Sequence, residues 1–107
     1  MKINLAIYGV DVNFFVGKKE LDAYDRACVK AGKTEDDRIS NEDGRCWGVN
    51  VWIRKLSKSP YWIGVVAHEV THCVDNLSYH VGIKHVDKPV AYLVGYITEQ
   101  IYKKGKR

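Results

Sequence analysis

At 107 residues and 12.2 kDa the chain has room for one compact domain. Its 46% hydrophobic and 28% charged residues are the balance of a globular protein, which excludes a disordered tail, a collagen-like fibre and a disulfide-dense scaffold. The formal charge of +4 comes from Lys103, Lys104, Lys106 and Arg107; over residues 1–102 basic and acidic groups are equal in number. A short basic end of this kind reads as solvated, which argues against a nucleic-acid partner. The three cysteines, Cys28, Cys46 and Cys73, form no CxxC pair, which excludes a zinc ribbon and a thioredoxin-like site and suits a reducing compartment. Asn4 and Asp11 interrupt any apolar leader, and no apolar run approaches the ~20 residues that span a bilayer. The expectation is a cytoplasmic protein without a membrane partner: one domain over 1–102 and a basic tail over 103–107.

Ile3, Leu5 and Ile7 alternate with Asn4, Ala6 and Tyr8 and predict a strand; Val10 to Val16 continue it or pair with it. From Lys18 to Ala31 the spacing of Leu21, Tyr24, Ala27 or Cys28, and Ala31 predicts a helix, with Gly32 as its stop. Residues 33–45 are polar and read as a surface loop, with a tight turn at Asp43-Gly44. Cys46 to Arg54 read as one strand, with Trp47, Val49, Val51 and Ile53 on one face and Gly48, Asn50, Trp52 and Arg54 on the other. One of the two tryptophans is expected to be buried and the other partly exposed. Ser59-Pro60 opens a helix over about 61–79. Lys88-Pro89 opens the last helix, whose stripe is Val90, Leu93, Val94, Ile97 and Ile101 and which ends before Gly105. This order predicts an α+β fold, a small, mostly antiparallel sheet packed on three helices.

The chemistry is concentrated in His68-Glu69-Val70-Thr71-His72, an H-E-x-x-H motif inside the 61–79 helix. Random placement of 4 His and 5 Glu in 107 residues would give roughly 0.007 such motifs, so composition alone does not explain it. Residues four apart on a helix share a face, so both imidazoles can reach one Zn²⁺ at about 2.0–2.1 Å. The ion lowers the pKa of a bound water to roughly 7, and Glu69 is placed to take its proton and pass it to a leaving amine. That is the chemistry of metal-assisted peptide hydrolysis.

The stretch from Val65 to Val74, with His68, Glu69 and His72 at its centre, resembles the active-site helix of zincin metallopeptidases. Residues 65–102, with Ala91-Tyr92-Leu93-Val94-Gly95-Tyr96, look like small zinc peptidases encoded by phages. The likeness covers the C-terminal third to half of the chain. It implies a minimal zincin-like fold, a Zn²⁺ cofactor, a peptide or protein substrate and, for a phage protein, the host cytoplasm. It also implies an edge strand beside the active helix that receives extended substrate, and the strand at 46–54 is the candidate.

A catalytic zinc takes three protein ligands and keeps an open position. Tyr79-His80 and Gly82 do not meet the metzincin spacing, whereas a gluzincin-like site draws an acidic residue from the following helix. Asp87, at the start of that helix, is the first candidate for the third ligand, and an N-cap role suits it equally well. His85 and Glu99 follow it. Small peptidases of the phage type carry a glutamate just before their Ala-Tyr-Leu stretch, where this chain has Lys88. His80, His85, Tyr92 and Tyr96 are candidate oxyanion donors, with core packing the simpler role for the two tyrosines. Asp75 is spaced to orient the His72 ring or to face solvent. Cys73 points about 100° away from His72, and with Cys28 it reads as a buried thiol.

The first functional reading is a zinc-dependent peptidase with Glu69 as general base. The alternatives are an inactive, zinc-stapled module that binds a protein partner and a small nucleic-acid-associated protein using Trp52 and the basic tail. The oligomeric state stays open.

Overall fold

The computed structural model of the chain describes residues 1–5, 9–32, 43–81 and 88–105, with the side chains of 80–81 and 88–91 outside that description. The elements in chain order are β1 (Lys2–Leu5), β2 (Val10–Val16), a single 3-10 turn (Lys18–Glu20), α1 (Leu21–Lys30), β3 (Gly44–Trp47), β4 (Asn50–Ile53), α2 (Pro60–Val81) and α3 (Lys88–Lys104). The fold is α+β. The sheet order is β1-β2-β4-β3, with β1/β2 and β3/β4 antiparallel and β2/β4 parallel. A parallel pair needs a long crossover, and the chain between β2 and β4 supplies one that contains α1.

Strand alternation splits the core into two layers. Ile3, Leu5, Val12, Phe14, Val51 and Ile53 face α2 and α3, where they meet Val66, Val70, Cys73, Val74, Leu77, Leu93, Ile97 and Ile101. On the opposite face Trp52 packs with Tyr24 and Cys28 of α1, flanked by Phe15, Leu21 and Trp47. Trp52 is 0% exposed, and its Nε1–H donates to the Gly17 carbonyl at 2.9 Å. Burial, then the neighbouring Cys28, pushes the Tyr24 phenol up, so this layer carries no charge from it. No helix among the described residues is long and apolar enough to cross a membrane.

Two sequence expectations are corrected here. Residues 46–54 are two strands, because the chain reverses at Gly48-Val49 and Trp47 pairs with Asn50. A two-residue hairpin turn needs a positive φ at its first central position, and Gly48 supplies it at 61°. The reversal moves Trp47 to the Trp52 side, away from Val51 and Ile53. Gly44, expected in a tight turn, is instead the first residue of β3 and stands opposite Ile53. The other elements lie close to expectation: the 18–31 helix is a 3-10 turn followed by α1, α2 is slightly longer at each end, and α3 runs through Lys104.

Candidate metal centre

α2 is amphipathic, and the helical period sorts its motif. Val66, Val70, Cys73, Val74 and Leu77 are buried against the sheet and α3, which leaves His68 and His72 on the exposed face. Glu69 sits at the boundary, turned toward β3 and only 8% exposed. It lies against Gly44 of the strand, where an added Cβ would lie 2.9 Å from Glu69 Cγ and 3.1 Å from Val65 Cγ1. The edge strand therefore approaches the helix this closely because position 44 has no side chain.

Contacts at each end hold α2 alongside β3. Near its start, the Tyr61 hydroxyl donates to Asp43, which pushes the Tyr61 phenol up. Asp43 also lies 3.6 Å from Arg54 Nε, and its carbonyl accepts from the Arg54 N–H at 2.8 Å. Further along, Asn76 Nδ2 donates to the Gly48 carbonyl at 3.0 Å. Between these points Cys46 of β3 meets Cys73 of α2. Hydrogen bonding with the neighbouring Cys73, then burial, pushes the Cys46 thiol up, and the nearby Glu69 carboxylate adds to this.

The two imidazoles approach each other, with His68 Nε2 and His72 Nε2 3.2 Å apart and the rings edge to face. Two nitrogens each about 2.0–2.1 Å from one tetrahedral ion lie roughly 3.3 Å apart, so the observed separation fits a shared ion. Among the described residues His68, Glu69 and His72 form the group able to hold a metal, with one ligand atom from each within 4.8 Å of the others. Nitrogen and carboxylate donors suit zinc. A cleft of about 440 Å³ opens beside this group. Asp43 and Gly44 line one side, Tyr61, Gly64 and Val65 the other, and it ends at His68 and Glu69.

The remaining candidates are placed less centrally. Asp87 and His85 lie outside the described residues, as does the side chain of His80. Glu99 is exposed and pairs with Lys103 at 3.0 Å, one helical turn on, and does not belong to the metal-binding group. Tyr92 is 73% exposed and Tyr96 38%, which corrects the expectation that both pack in the core; each lies on the solvent side of the stripe that buries Leu93 and Ile97. Asp75 is exposed, and Cys73 and Cys28 are buried as expected. Full burial of Trp52 removes the ring that base stacking would require. The sequence reading missed the roles of Gly44, Asp43 and Tyr61. Tyr61 could have been found, since it precedes His68 by seven residues, two helical turns on one face. Asp43 and Gly44 reach the site only through the β3/β4 register. No protein-family model, curated protein or solved structure matches this chain, so the site stands on its own geometry.

Proposed function

We propose that the chain is a zinc-dependent peptidase in which His68 and His72 hold the ion and Glu69 is the general base. The observation that carries this reading is the 3.2 Å approach of the two Nε2 atoms with a nearly buried carboxylate beside them. A bound Zn²⁺ would supply Lewis-acid polarisation of a carbonyl and acidification of water. A third ligand is required by the same chemistry, and Asp87 remains our candidate, followed by His85.

Glu69 does the proton work. Its carboxylate accepts a proton from the attacking water as the new C–O bond forms, and returns a proton to the amine nitrogen as the C–N bond breaks. The low exposure of Glu69 keeps that carboxylate close to the reacting atoms and away from competing solvent. Among the described residues β3 is the edge of the sheet, and it runs beside α2, so an extended peptide can add to it as a further strand with its backbone crossing the motif. The three free thiols fit a reducing compartment, and we place the protein in the cytoplasm.

The test is hydrolysis of dye-labelled casein by protein purified without added metal and then supplied with zinc. The expected result is cleavage that a strong chelator abolishes and one equivalent of zinc restores. Cleavage unaffected by chelation would overturn the reading.

A further inference from the structure

We infer that the cleft beside Glu69 is a pocket for a large apolar side chain of the substrate, kept open by Gly64. This rests on the peptidase reading and adds a substrate class to it.

Among the described residues nothing requires glycine at position 64. It lies inside α2, where glycine is less favourable than alanine. It has no positive φ, and a Cβ built there would meet nothing within 4 Å among the described residues. Neither backbone conformation nor crowding by the described residues requires the missing side chain. What Gly64 does have is a place on the cleft wall, one helical turn before His68. Gly95 in α3 is equally open, but it is not part of this wall.

The lining sets the chemistry. Beyond the motif itself, the cleft presents Val65, the 60% exposed Tyr61 and the backbone of two glycines. Its other charge, Asp43, already accepts from Tyr61 and lies beside Arg54. A basic side chain would have to compete with Arg54 for Asp43, and by pairing with Glu69 it would take the carboxylate that the peptidase reading needs as its base. An acidic one would meet both Asp43 and Glu69. An apolar side chain gains from Val65 and the tyrosine ring without either penalty. The volume of about 440 Å³ falls within the range of small-ligand clefts.

The experiment uses the zinc-loaded protein and capped amino acids, followed through the backbone amide signals of Gly44, Gly64 and Val65. N-acetyl-phenylalaninamide is expected to shift these signals in the wild type, and N-acetyl-lysinamide and N-acetyl-glutamic acid amide are not. Gly64→Leu fills the space and should weaken phenylalaninamide binding at least tenfold, and Gly64→Ala should weaken it less. Gly95→Ala should change nothing. Equal binding of the lysine or glutamate probe, or unchanged binding in Gly64→Leu, would overturn the pocket.

A proteome-derived peptide pool supplies the second arm. Wild-type cleavage should favour bonds flanked by large apolar residues, and Gly64→Leu should shift it toward glycine and alanine. Cleavage with no such preference overturns the pocket and leaves the peptidase. Absence of cleavage, with phenylalaninamide still bound at Gly64, leaves the pocket and sinks the peptidase.

Discussion

Glu69→Gln should lower peptide hydrolysis by about 10²–10⁴ and leave zinc content unchanged. The substitution keeps the shape of the side chain and removes its ability to accept a proton. The two imidazoles on the exposed face of α2 are not altered, so the ion should still be held. Because Gly44 approaches Glu69 Cγ so closely, the amide is confined to nearly the same position and the effect isolates the proton transfer. Turnover within threefold of the wild type would show that Glu69 is not the base. For a zinc-stapled binding module the same substitution would have no functional consequence, so this variant separates the two readings.

Trp52→Ala should destabilise the fold by about 3–5 kcal/mol. Trp52 fills the layer between the sheet and α1, packs with Tyr24 and Cys28, and donates from Nε1 to the Gly17 carbonyl. The Arg54 side chain covers the ring at 5.4 Å from its centre. Truncation leaves a cavity, removes that hydrogen bond and strips Arg54 of its support beside Asp43. Against a total stability of about 5–15 kcal/mol, the loss should lower Tm by on the order of 15–30 °C. Thermal and denaturant unfolding give the measurement, and a loss below about 1 kcal/mol would contradict this account of the core. Trp52→Phe, which keeps most of the buried area, should fall between the two.

What could be read from the sequence divides along local and non-local lines. The H-E-x-x-H spacing, the α2 start at Pro60 and the Leu93, Val94, Ile97 and Ile101 part of the α3 stripe are local periodicities, and each appears where the pattern puts it, while the Val90 side chain lies outside the described residues. The 46–54 segment misled because apolar alternation runs through the reversal; only Gly48 marked it, and a glycine within a strand pattern has several meanings. Core packing is the simpler expectation for Tyr92 and Tyr96, yet both are exposed and the helix buries Leu93 and Ile97 instead. Gly44 against Glu69, Cys46 against Cys73 and Asp43 against Tyr61 all depend on β3 lying alongside α2. No local pattern encodes that arrangement. Asp87 and His85, the first two candidates for a third ligand, fall outside the described residues and remain proposals.

The most direct measurement is zinc per chain in the wild type and in His72→Ala, both purified without added metal and measured by elemental analysis. A site built from His68 and His72 predicts close to one zinc per wild-type chain and almost none in the variant. Little zinc in either protein, or equal zinc in both, would contradict it.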